Sequence, residues 1–135
     1  MNTKIQGEMT EGMVMARLLK LGEIVLMPFG DNQRYDLALD RGGKLVRIQC
    51  KTGRLEDGTI FFKTTSSYYH RGRKSNGYIG QADIFGVYCP ANEQVYFVPV
   101  AETGTGGCRL RLEPSKNRQT TGVRNAEDYR ELRTH

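Results

Sequence analysis

Hydrophobic positions follow two periodicities along the chain. Near the N-terminus Val14, Met15, Leu18 and Leu21 recur at helical spacing. Thr3 with Gln6 fits a capping box, and Gly22 suits a helix end, so the pattern predicts a helix over 4–21. Ile24 to Phe29 reads as a short apolar strand ending near Pro28. Tyr35 to Arg41 and Lys44 to Lys51 then alternate around Gly42-Gly43, which predicts a hairpin. Thr59 to Thr64 is a third antiparallel candidate, entered through Glu56-Asp57-Gly58. Residues 65–81 are polar and patternless, and long segments of that kind tend to be functional or mobile. Ile84 to Cys89 and Val95 to Val100 are apolar on both faces, as expected of central or interface strands. Gly104 to Gly107 reads as a loop and Arg109 to Leu112 as a short strand. Asn125 suits the cap of a final helix through Arg133. No repeat and no second domain is visible.

The hairpin makes a sharper statement. With Gly42-Gly43 as a two-residue turn, paired positions sum to 85, so Leu37 faces Ile48 and Leu39 faces Val46. A slip of one residue would destroy that apolar face. On the other face Asp36 lies across from Gln49, and Lys51 projects from the same side two residues on. A carboxylate, an amide and an ammonium therefore converge at one end of a sheet. The same periodicity also fits an exposed polar face with an ion pair. Glu11 is spaced to lie on or beside the apolar stripe of the first helix, where a carboxylate needs a partner or a metal. Glu8 fits one turn earlier, and either residue fits the border of a core. If the helix packs beside the hairpin, Glu11, Asp36 and the Gln49 oxygen form a set of hard oxygen ligands suited to Mg²⁺.

Length and composition narrow the class. The 135 residues fit one domain, numbered 1–135. No apolar run approaches the ~20 residues of a membrane span, and no signal-peptide core is visible. Cys50, Cys89 and Cys108 are odd in number and form no CxxC pair, which predicts a reduced, cytoplasmic protein without a zinc site or disulfides. The net charge of +5 is uneven. Lys63 to Ala82 and Arg109 to Ala126 carry +4 each, leaving −3 for the remainder. A solvated basic face would look the same, yet both segments interleave cations with Ser, Thr, Asn, Gln or Tyr, as nucleic-acid surfaces do. The candidate DNA contacts are Lys63, Ser67, Tyr69, Arg71, Arg73, Lys74, Asn76, Arg109, Arg111, Lys116, Asn117, Arg118, Gln119 and Arg124. His70 and His135 have no Cys or Ser partner at a recognisable spacing.

Tyr35-Asp36, twelve residues, then Gln49-Cys50-Lys51 resembles the PD-(D/E)XK nuclease motif. Gly7, Glu11, Leu18 and Gly22 have the spacing of the N-terminal helix in archaeal Holliday junction resolvases. RYDLALD, VRIQCKT and YIGQADIFGVYCP are more similar to the PD-(D/E)XK homing endonucleases of group I introns, over roughly residues 4–100, and LRLEPSKNRQT extends the likeness.

The resemblance implies an α/β restriction-endonuclease-like core, a mixed central sheet flanked by helices. It implies metal-dependent, site-specific double-strand cleavage of DNA by a homo-oligomer, a dimer or a dimer of dimers. It carries over Glu11, Asp36 and Gln49 as metal ligands and Lys51 as the catalytic lysine. Mg²⁺ is the implied cofactor, with Mn²⁺ a substitute and Ca²⁺ non-catalytic. Bound metal would acidify a water and polarise the phosphate while Lys51 steadies the developing charge. Tyr35 replaces the motif proline, and Gln49 replaces the usual acid, so Glu11 carries more of the charge. A Holliday junction resolvase, a restriction endonuclease and a non-catalytic DNA- or RNA-binding module remain alternative readings.

Overall fold

The computed structural model describes residues 2–30, 33–65, 80–113 and 123–132. Helix α1 spans Thr3–Lys20. Its cap is Asn2, not Thr3: the Asn2 side chain accepts the Ile5 N–H at 2.8 Å. The helix ends in a Schellman turn, with Glu23 N–H on Leu18 and Gly22 N–H on Leu19, and Gly22 takes a φ of +83°.

Five strands form the central sheet in the order β1-β2-β3-β6-β7: β1 (Ile24–Leu26), β2 (Leu37–Arg41), β3 (Lys44–Thr52), β6 (Ile84–Cys89) and β7 (Gln94–Pro99). The β2–β3 hairpin has the predicted register, Leu37 opposite Ile48 and Leu39 opposite Val46. Gly42 and Gly43 both have positive φ, as a type I′ turn requires. Strand β3 also pairs β6 in parallel, which makes the sheet mixed.

A second sheet, in the order β4-β5-β8, contains β4 (Arg54–Glu56), β5 (Thr59–Lys63) and β8 (Gly107–Arg111). The expected Thr59–Thr64 strand is therefore present as Thr59–Lys63, but it leaves the first hairpin for β4 and β8. The switch occurs at Gly53. A Cβ there would meet Ile60 at 2.6 Å and Val87 at 3.0 Å, so only glycine lets the chain pass between the sheets.

Two cores lie on opposite faces of the central sheet. Val14 and Leu18 of α1 pack with Leu37, Leu39, Val46, Ile48, Ile84, Tyr88 and Phe97. On the other face Phe85, Val87 and Val98 pack against Ile60, Phe62, Cys108 and Leu110 of the second sheet. The expected helical flank is thus present as α1 on one face, while the second face is covered by a sheet.

Two terminal expectations are corrected. Asn125 leads only into a 3-10 helix, Ala126–Tyr129, and makes no side-chain cap bond. Its buried Ala126 and Tyr129 join the second core. The Ile24–Phe29 strand stops at Leu26 on the sheet edge, and Val100 begins a 3-10 turn rather than ending β7. Among the described residues no helix is long and apolar enough to cross a membrane.

Candidate active site

The site grows out of the end of the β2–β3 hairpin nearest α1. Asp36 stands just before β2, and its backbone N–H continues the ladder to Ile48 O at 2.8 Å. Its side chain is locked from across the hairpin, where Oδ2 accepts the Cys50 N–H at 2.8 Å. Tyr35, at the motif's proline position, packs against the core beneath the second sheet and pins this chain entry.

Helix α1 is held against the same strands at close range. A Cβ on Gly86 would lie 2.7 Å from Val14 Cγ1 and 3.2 Å from Ile48 Cγ2, so this glycine sets how near the helix comes. The buried Thr10 hydroxyl meets the Thr52 hydroxyl at 2.6 Å. Thr10 precedes Glu11 and Thr52 follows Lys51, so this bond ties together the two segments that bear the candidate charges. The sequence held a signal for it: Thr10 is a polar residue at i−4 from Val14, inside the apolar stripe.

Electrostatics place Glu11 beside Asp36. Burial raises the Glu11 carboxyl above its usual value, and the Asp36 and Glu8 carboxylates add to the rise. Asp36 is also raised, by burial, with the Cys50 N–H and the Lys51 ammonium acting against it. The Cys50 thiol is pushed well up by burial and by both carboxylates, so it is an inert packing group. Glu8 is exposed and Glu11 half-buried, which favours Glu11 as the acid turned toward the hairpin.

Gln49 Nε2 donates to Cys50 O at 3.5 Å, leaving Oε1 as the atom available to a cation. Lys51 Nζ donates to Thr65 O at 3.3 Å, so the ammonium already sits where β5 runs out. Among the described residues no three His, Cys, Asp or Glu side chains gather at metal-holding distance. Two carboxylates and an amide oxygen are the side-chain donors that Glu11, Asp36 and Gln49 offer a divalent ion. That set fits Mg²⁺, which binds through one or two carboxylates plus waters and substrate phosphate. Two partly buried acids with raised proton affinity are a site short of positive charge.

The candidate DNA contacts divide. Lys63 is exposed at the end of β5, and Arg109 and Arg111 stand on β8. Arg124 is half-buried and its guanidinium is bonded to the Glu102 carbonyl oxygen, a structural tie rather than an open contact. Ser67, Tyr69, Arg71, Arg73, Lys74, Asn76, Lys116, Asn117, Arg118 and Gln119 lie outside the described residues.

The fold is similar to that of a bacterial homing endonuclease, I-Ssp6803I, at 25% identity and a TM-score of 0.75, covering 96% of this chain and 89% of that one. It is also similar to Hjc, a Holliday junction resolvase of the archaeon Archaeoglobus fulgidus, at 14% identity and a TM-score of 0.47, covering 78% of this chain and 84% of that one. No curated protein matches the chain. The family described as PD-(D/E)XK endonuclease matches residues 1–132, nearly the whole length, and the chain belongs to that family.

Proposed function

We propose that this chain is a Mg²⁺-dependent, site-specific double-strand DNA endonuclease of the homing type, working as a homo-oligomer in the reducing cytoplasm. The observation that supports the reading is that Asp36, fixed by the Cys50 N–H, is within electrostatic reach of both Glu11 and Lys51, with Gln49 two residues before Lys51 on β3 and the Thr10–Thr52 bond joining helix to strand. The likeness to a bacterial homing endonuclease supports the substrate class. Three thiols, two buried and one half-buried with no disulfide, suit a reducing compartment.

Glu11, Asp36 and the Gln49 oxygen would hold the cation. When bound, Mg²⁺ supplies a Lewis acid and a water of lowered pKa. The chain's own residues do the rest. Asp36 cannot rotate away because its second oxygen is anchored to the backbone. Lys51, whose Nζ donates to Thr65 O at 3.3 Å, would stabilise the charge that develops on the phosphate. Lys63 and the β8 arginines attract the DNA backbone. Oligomerisation is supported by the open edge strand β1, which leaves Ile24 and Leu26 exposed.

The test is incubation with Mg²⁺ and a duplex library, followed by sequencing of cut ends. Cuts should cluster at one long site. Lys51→Met should lower the rate about 10²–10³-fold while binding in Ca²⁺ is kept. Gln49→Leu should be nearly inactive, and Gln49→Glu should retain some cleavage with altered Mg²⁺ dependence. Equal rates for wild type and both Gln49 variants would remove the catalytic assignment. Tight DNA binding with no Mg²⁺-dependent cleavage would make the chain a binding module instead.

A further inference from the structure

The outer face of the second sheet carries a side-chain arrangement that packing does not require. Alternation sends Ile60, Phe62, Cys108 and Leu110 inward to the core, and the intervening residues outward. Arg54, Phe61 and Arg109 form one outward row across β4, β5 and β8. The Phe61 ring lies over Gly107, where a Cβ would come within 2.3 Å of it. Both guanidinium groups stand over this ring, Arg109 at 4.8 Å and Arg54 at 5.6 Å from its centre. Glu56 bridges them, 2.9 Å from Arg54 and 3.7 Å from Arg109. Both arginine side chains nevertheless remain more than half exposed, at 69% and 54%. Two cations are thus pre-oriented without being buried. With Lys63 and Arg111 the outward face has four cations against one acid.

The face also has a direction. Its Lys63 end lies two residues from Thr65, whose carbonyl receives Lys51.

We propose that the outer face of β4-β5-β8 docks the phosphate backbone of duplex DNA beside the cut, with Arg54 and Arg109 as direct contacts and Phe61 and Glu56 as positioning residues. The choice of DNA as partner rests on the nuclease reading; the face itself rests on charge and geometry. Arg54, Phe61 and Glu56 lie outside both basic segments of the sequence, so charge clustering along the chain does not reveal them.

The experiment measures binding of a labelled duplex in Ca²⁺ by anisotropy, between about 50 and 200 mM salt. The double variant Arg54→Gln, Arg109→Gln should lower the log–log salt slope by about 1.8, two contacts at 0.9 each. Phe61→Leu keeps every charge, so it should weaken binding at each salt concentration with the slope unchanged. Lys44→Gln, which loses one charge in the first hairpin as Arg54→Gln alone does on the face, should leave the slope as in wild type. Thermal melts check folding, and Arg54→Gln alone, with a drop of about 0.9, serves if the double variant melts early. An unchanged slope in the arginine variants, or an equal drop in Lys44→Gln, overturns the proposal. These readouts separate the two ideas. A wild type that binds but never cuts refutes the nuclease reading and leaves the slopes to judge the face. A wild type that cuts with unchanged variant slopes refutes only the face, and one that does not bind duplex refutes both.

Discussion

Asp36 and Glu11 are acids held where ionisation is unfavourable, and this has a measurable consequence. Their folded values lie above the ordinary 3.8 and 4.5. For a raised carboxyl the stability contribution is full below the unfolded value and is lost as pH rises through the folded one. The metal-free protein should therefore lose stability through this pair on going from about pH 4 toward neutrality. Asp36→Asn removes the charge yet keeps an acceptor for the Cys50 N–H. In EDTA its melting temperature should gain on wild type as pH rises. Added Mg²⁺ should restore wild type at neutral pH and do little for the variant. A wild-type-to-variant difference independent of both pH and Mg²⁺ would show that the pair is not strained by its charge.

At the scale of elements, the distance between α1 and the sheet decides whether Glu11 reaches Asp36. That distance is set where Val14 sits on Gly86, in a strand paired on both sides and unable to yield. Gly86→Ala should therefore overpack the contact and cost about 1–3 kcal/mol. It should also weaken metal-dependent stabilisation, because lifting the helix carries Glu11 away. Val14→Ala in the same protein makes room for the new methyl. The pair should be more stable than the sum of the singles by about 0.5–3 kcal/mol, read from denaturant melts. Additive losses would mean that the helix is positioned elsewhere. The Thr10–Thr52 bond adds direction to this contact but cannot set its depth.

For the whole molecule, the unexplained surface is apolar. Strand β1 ends the central sheet, and Ile24 (60%), Met27 (62%) and Phe29 (104%) stand open to solvent around it. An apolar edge strand with one side left unpaired is a self-association surface, and a double-strand cut calls for two sites. Sedimentation should show an oligomer at micromolar protein. Replacing Ile24 and Phe29 with Lys should yield monomers that fold and bind DNA more weakly. A wild type that stays monomeric on its DNA would detach this edge from function.

The features legible in the chain are those governed by neighbours in sequence. The hairpin register follows from strict alternation around a Gly-Gly turn, so Asp36, Gln49 and Lys51 could be placed together before any long-range contact was known. The span of α1 follows from helical spacing and Gly22, and its cap missed by one residue because Asn2 and Thr3 are both competent caps. Strands β6 and β7 announce themselves through the apolar runs Ile84–Cys89 and Val95–Pro99. Other features depend on which surfaces meet. Alternation in Thr59–Lys63 says only that one side is buried; the sheet it joins was decided by the crossing at Gly53, where two sheets press together. The parallel pairing of β3 with β6 joins segments more than thirty residues apart, and no local pattern encodes it. The apolar 24–29 stretch lies open because a short strand at the sheet edge has little to pack against. Glu11 shows the division within one residue. Helical spacing brought it to the border of the core, and the close seat of Val14 on Gly86 carried its charge to Asp36.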